Sequence, residues 1–206
     1  MTWIVFDYGE VIAQRPSARA FARLAEVAGA PAAEFEDGYW RFRDKFDRGM
    51  AALDYWQAVG GQAGFEVGPA QADALTAADV ELWNTLDPRS VALVTELAAS
   101  GRQLALLSNA PIAHGTAFRA REWAGSFRHF VISGELGLAK PDPAIWEALV
   151  DRLGSPAGEV LFLDDREVNV TAAQEFGIRA FLWTGPDDAR RHIAEFDREF
   201  FPATGY

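Results

Sequence analysis

From about residue 88 onward the chain alternates short apolar runs with helical patterns, and few folds accommodate that rhythm. Residues 103–107, 129–132, 159–163 and 178–183, joined by residues 2–6 near the start, are predicted strands. The second, fourth and fifth runs in chain order are β-branched or rich in Leu and Phe with little polar alternation, as in strands covered on both faces. Between them, Ile145, Trp146, Leu149, Val150 and Leu153 share one helical face. Ala189, Ile193, Phe196 and Phe200 share another, with Asp187 as the predicted N-cap. Parallel strands need a crossover, and helical crossovers place helices on both sides of the sheet. The fold class is therefore α/β.

The stretch 15–86 breaks this rhythm. It offers only helical segments: a face of Phe21, Leu24, Ala25 and Ala28, an aromatic run from Tyr39 to Phe46, then 53–59 and 70–83, punctuated by Gly60-Gly61 and Gly68-Pro69. An all-helical module inserted after strand one is expected, with 1–14 and 87–206 forming the sheet domain. A chain of 206 residues is long enough for that arrangement. Its net charge of −11 argues against a nucleic-acid surface, which needs clustered cations. It does not exclude an anionic substrate, because a bound metal and one or two local cations can dominate a pocket. The absence of cysteine excludes disulfides, thiolate nucleophiles and zinc–thiolate sites. No apolar stretch approaches the ~20 residues of a membrane span, and Asp7 interrupts the first apolar run too early for a signal peptide. A cytoplasmic protein is expected, and nothing in the chain reads out its oligomeric state.

In an open parallel sheet, ligands bind beyond the carboxyl ends of the strands. Asp7 follows the first run, Ser108 and Asn109 the second, and Asp164 and Asp165 the fourth; Lys140 lies in the loop after the third, before a helix introduced by Pro141-Asp142-Pro143. One Asp after a strand is ordinarily a turn or cap residue, and an Asp pair commonly starts a helix. Four polar segments on one sheet edge are not explained that way. Carboxylates about 4 Å apart repel by roughly 4 kcal/mol per pair at an effective dielectric near 20. A divalent cation relieves that repulsion, and an all-oxygen set suits Mg²⁺ rather than zinc. Lys140, the Ser108 hydroxyl and backbone amides at a helix start suit a phosphoryl group. Asp7 is the natural nucleophile.

The segments "IVFDYGEVI", "LALLSNA", "ISGELGLAKPDPAIW" and "VLFLDDREVNVTAAQEFGIRAF" occur in that order. Together they resemble the haloacid dehalogenase (HAD) superfamily, in the subgroup with a helical cap inserted after the first motif. The resemblance implies a Rossmann-like core, an aspartate nucleophile, Mg²⁺, and in most members phosphatase activity on small phosphorylated metabolites. Carried over, Asp7 is nucleophile and metal ligand. Ser108 and Lys140 bind the phosphoryl group with help from the Asn109 backbone. Asp165 ligates the metal directly, Asp164 through a water, and Gly9 through its carbonyl. Asn169 braces the acidic loop.

Where the family motif reads D-x-D, this chain has Gly9 in place of the second Asp, the residue that protonates the leaving group and activates water. A positioned acid/base contributes on the order of 10²- to 10⁴-fold, so the loss is serious without being fatal. Phosphatases similar to α-glucose-1-phosphate phosphatase share the D-x-G-x-V form. Glu10 is a candidate substitute acid or else a brace for the loop. His114 is a candidate proton carrier or else a packed helix residue. Dehalogenases also lack the second Asp, but they characteristically carry Tyr there and lack the late Asp pair. The readings therefore rank as phosphatase, then phosphometabolite- or protein-binding domain, then 2-haloacid dehalogenase. Arg15, Arg43 and Arg48 are candidate substrate contacts in or near the cap, while Phe42 and Phe46 are expected to be packing residues. A sugar phosphate is the substrate suggested by family analogy.

Overall fold

The computed structural model describes residues 1–200. The chain runs β1 (Trp3–Phe6), α1 (Ala18–Ala28), α2 (Ala32–Asp47), α3 (Ala52–Ala63), α4 (Pro69–Leu82), α5 (Pro88–Ala99), β2 (Gln103–Ser108), α6 (Ile112–Arg119), β3 (His129–Ile132), α7 (Ser133–Leu136), α8 (Pro143–Leu153), β4 (Val160–Asp164), α9 (Glu167–Phe176), β5 (Arg179–Leu182) and α10 (Pro186–Phe200). The five strands form one parallel sheet in the order β3-β2-β1-β4-β5. Each predicted strand is found within one residue at either end.

Strand periodicity divides the apolar residues between two faces. Ile4, Phe6, Leu104, Leu106, Leu161 and Leu163 pack into one cluster with residues of α5, α6 and α10. Trp3, Val5, Ala105, Leu107, Val160 and Phe162 pack into the other with α8 and α9. Trp146 is buried in the second cluster and Trp183 packs against the first, as core residues. Both faces being covered explains why β2 and β4 read as unbroken apolar runs. One expectation needs correcting: α10 starts at Pro186, so Asp187 lies within its first turn, and the Ala189 amide donates to the Gly185 carbonyl. Proline suits the first helical position because its missing N–H would have had no intrahelical partner.

Helices α1 to α4 enclose a third cluster of their own, built on Phe35, Tyr39, Tyr55, Trp56, Val59 and Leu75. Phe46 belongs to it and Phe42 packs on its edge. The chain enters and leaves this layer side by side: the Gln14 amide donates to the Thr85 carbonyl (2.7 Å), and the Asp87 amide to the Ile12 carbonyl (2.9 Å). The layer docks over the sheet edge at Gly49, where a Cβ would meet the Gly134 carbonyl at 2.7 Å. Beside this contact the Ser133 hydroxyl donates to the Asp47 carbonyl.

Candidate active site

The sheet order makes β1 the topological switch point, with β2 on one side and β4 on the other, and the crevice opens beyond its carboxyl end. The register sets Phe6 opposite both Leu106 and Leu163, so the next residue, Asp7, comes level with the ends of both neighbours. Its amide donates to the Leu163 carbonyl (2.9 Å). Ser108 and Asp164 are the last residues of β2 and β4. Asp7, Ser108, Asn109, Lys140, Asp165 and Asn169 line one cavity of about 590 Å³, roofed by α2 and the end of α4. The residues proposed from the four strand ends therefore meet.

Lys140 is the hub. Its Nζ lies 2.7 Å from Asp7 Oδ1, 2.6 Å from Asp164 Oδ2 and 3.1 Å from the Leu107 carbonyl, which employs all three of its donors. Burial disfavours its charge, but Asp164 and Asp7 outweigh that and hold its pKa above the usual lysine value. Asn109 fixes the loop that carries it: Asn109 Nδ2 donates to the Lys140 carbonyl and Oδ1 accepts from the Lys140 amide, both at 2.8 Å. Asn109 therefore acts through its side chain as well as the backbone expected from the sequence, a role with no local sequence signal.

The acidic loop is equally ordered. Asp164 Oδ1 accepts from the Arg166 amide and from Asn169 Nδ2, each at 2.9 Å, while Oδ2 faces Lys140. Asp165 is the more exposed of the pair. Replacing Asn169 by Ala is expected to cost about 1–3 kcal/mol in urea unfolding, because Asp164 loses a buried donor. A variant as stable as the parent would show that the brace is dispensable.

Asp7, Asp164 and Asp165 each offer a carboxylate oxygen, and these atoms lie within 4.8 Å of one another. Burial, with Asp164 and Asp165 adding to it, raises the Asp7 pKa to about 7 against the pull of Lys140. Burial, Asp164 and Glu10 raise Asp165 to about 6. Hard oxygen donors crowded to the point of mutual repulsion fit a divalent cation, which would remove that repulsion.

The other predicted residues are distributed unevenly. Glu10 has a left-handed backbone (φ 57°), and its carboxylate lies 3.9 Å from Arg15, at the cavity mouth. Arg43 reaches the cavity wall, but its guanidinium is already engaged by Asp47 at 2.7 Å and Asp79 at 3.2 Å. Arg48 pairs with Asp44 and Asp142, bridging α2 to the start of α8. His114 is buried with Nε2 3.5 Å from Asp79, and burial, opposed by Asp79, lowers its pKa to about 4. Asp47 and Trp83 complete this wall, with Asp79 buried behind it against Arg43 and His114, and none of the three was anticipated. Only an acidic residue on the otherwise apolar face of α4 hinted at Asp79.

A sequence profile of the haloacid dehalogenase-like hydrolases matches residues 2–177. The chain is similar to the GMP/IMP nucleotidase YrfG of Escherichia coli (strain K12), 34% identical over 118 residues, which are 55% of this chain and 51% of that protein. It is 29% identical over 138 residues to the sesquiterpene phosphatase astK of Aspergillus oryzae, covering 66% of this chain and 68% of that one. It spans between 14% and 51% of the length of the curated relatives it matches first. Among solved structures, a HAD family enzyme of Bacteroides thetaiotaomicron in complex with magnesium and inorganic phosphate superposes with a TM-score of 0.70 at 20% identity, over 88% of this chain and 93% of that one. A 2-haloacid dehalogenase from Pseudomonas syringae pv. Tomato DC3000 also gives 0.70, at 18% identity over 95% and 99%. With residues 2–177 matched and the strand-end site assembled on such a sheet, the chain belongs to the haloacid dehalogenase-like hydrolases.

Proposed function

We propose that this hydrolase is a Mg²⁺-dependent phosphatase acting on a small phosphorylated metabolite through an aspartyl-phosphate on Asp7. The observation that carries this reading is the Lys140 ammonium, 2.7 Å from Asp7 and 2.6 Å from Asp164, at the open end of β1 beside three convergent carboxylates. The relatives named for nucleotidase and phosphatase activity support it. Mg²⁺, which accompanies phosphate in the Bacteroides structure, would be held by Asp7, Asp164, Asp165 and the Gly9 carbonyl, and would neutralise charge on the phosphoryl oxygens. Lys140 places its positive charge beside the phosphoryl group, the Ser108 hydroxyl orients it, and Asp7 attacks it. Residues 15–86 act as a cap that excludes water and shapes the leaving-group pocket, over a core of 1–14 and 87–206. Arg15, which keeps a highly exposed side chain, is the arginine best placed to meet an anionic substrate from outside. A sugar phosphate and a cytoplasmic location rest on family analogy alone, with no residue of this site to carry them.

Proton transfer is where this site departs from a complete phosphatase. Glu10 leans toward Arg15, and His114 stays neutral beside Asp79. Replacing either one singly by Ala is expected to leave turnover largely unchanged. A loss of roughly 10²-fold or more would assign that residue the acid/base role. A phosphometabolite-binding protein is the second reading, favoured by one observation: position 9 has no side chain at all. The dehalogenase reading stands third, since Asp164 and Asp165 are both carboxylates.

The test is phosphate release from p-nitrophenyl phosphate and a panel of sugar phosphates, with Mg²⁺ or with EDTA, beside Asp7→Asn. Metal-dependent release lost in the variant is expected. No release from folded, metal-loaded protein would move the assignment to binding, with 2-haloacids assayed next.

A further inference from the structure

The space beside Gly9, where the family resemblance places an acid side chain, is filled. A Cβ built on Gly9 lies 3.3 Å from Cζ3 of Trp83 and 3.9 Å from Cη2, so the indole rests almost directly on the glycine α-carbon. Trp83 is fixed there. Its Nε1 donates to Tyr39 Oη at 2.9 Å, and its own carbonyl accepts from Tyr8 Oη at 2.8 Å. The Trp40 ring meets it at 90°, with centroids 6.3 Å apart, and is 42% exposed. Both indoles line the cavity that holds Asp7 and Lys140. Together they form a right-angled aromatic corner, in which a planar group laid on one ring presents its edge to the other.

We propose, resting on the phosphatase reading, that Trp83 seated on Gly9 is the specificity-determining residue for the leaving group. The site then takes phosphate monoesters whose leaving group is planar and departs as an anion, namely aryl and enol phosphates. In the first step an Asp7 carboxylate oxygen bonds to phosphorus while the bond from phosphorus to the leaving oxygen breaks. The electron pair of that bond stays on the leaving oxygen. With no acid at position 9, that oxygen leaves as aryloxide or enolate and takes its proton from water afterwards. Water then attacks phosphorus and the bond to Asp7 breaks, restoring its carboxylate; inorganic phosphate leaves, and the water's proton passes to solvent. Delocalisation in a planar conjugated group stabilises the anion that the first step requires, so the same feature satisfies the chemistry and the aromatic corner.

The experiment compares p-nitrophenyl, phenyl and cyclohexyl phosphates in the full chain with Mg²⁺, for the parent and for Trp83→Leu, Trp83→Phe and Gly9→Ala. Phenylphosphonate and cyclohexylphosphonate are titrated calorimetrically into the same proteins. The parent is expected to prefer p-nitrophenyl over cyclohexyl phosphate by roughly 10²- to 10⁴-fold in kcat/KM, the range a missing general acid implies. Trp83→Leu raises KM for the aryl substrates and weakens phenylphosphonate by about tenfold, a typical worth for an aromatic contact. It leaves cyclohexylphosphonate unmoved, and Trp83→Phe restores most of the loss. Gly9→Ala, which pushes on the indole, shifts aryl KM in the same direction. Equal binding of the two phosphonates by the parent, or a Trp83→Leu protein that binds them as the parent does, overturns the proposal even if no substrate turns over. Asp7-dependent turnover without preference for planar leaving groups overturns it while the phosphatase reading stands.

Discussion

Replacing Asp7 by Asn is expected to remove turnover almost completely while making the metal-free protein more stable at about pH 8. The loss is on the order of 10⁶-fold, the scale seen when a hydrolase loses its covalent nucleophile. The gain follows from burial. Asp7 sits in the crevice with its pKa raised from 3.8 to about 7, so the folded protein holds a proton that the unfolded chain releases. Between those values, raising the pH favours the unfolded state, and the penalty is complete above about pH 7. Asn resembles the protonated carboxyl and never ionises, so it escapes the penalty. Asp165, raised to about 6, adds to the same slope in the parent. Thermal melts of metal-stripped protein from about pH 5 to 8 check this: the parent declines more steeply than the variant, and Mg²⁺ raises the parent most at the upper end. An Asn variant that melts below the parent at about pH 8 would show that the Lys140 pairing outweighs burial.

Lys140 has the second large effect, in the opposite direction. It is buried between two carboxylates, so Lys140→Ala leaves Asp7 and Asp164 facing each other with no cation between them. Breaking a buried pair from one side costs about 3–5 kcal/mol, which is a fall of about 10 °C in Tm for a domain of this size. Activity falls with it, because the phosphoryl group loses its positive contact. Lys140→Arg is not a rescue: a planar five-donor fork does not fit where a compact ammonium meets Asp7, Asp164 and the Leu107 carbonyl. Mg²⁺ recovers part of the lost stability by taking over the neutralising role. A Lys140→Ala protein with unchanged Tm in EDTA would contradict the assignment of Lys140 as the electrostatic hub.

The edge that carries the candidate site was readable because it follows from a local rule. Asp7, Ser108 and Asp164 stand at or just past strand ends, and parallel strands point their carboxyl ends one way, so no tertiary detail was needed to bring them together. Lys140 was readable for the same reason, through the loop after β3. The roof was not. Trp83 meets Gly9, and Asp79 meets Arg43 and His114, only because α4 folds back over the sheet edge across a long sequence separation. Arg43 looks from its helix like a free cation; its two carboxylate partners lie four and thirty-six residues away, and the second is invisible to periodicity. The start of α10 lies two residues before the expected one for a smaller reason, since Pro186 already fills the first helical position and leaves Asp187 inside the first turn.

The proposed reaction passes through a covalent bond between phosphorus and Asp7. The most direct measurement is rapid acid quench of the enzyme during turnover of p-nitrophenyl phosphate with Mg²⁺, followed by peptide mass spectrometry. A hydroxylamine-labile phosphoryl group on the peptide containing Asp7, absent in Asp7→Asn, is the predicted result. Turnover that leaves Asp7 unlabelled, or that persists in the Asn variant, would contradict it.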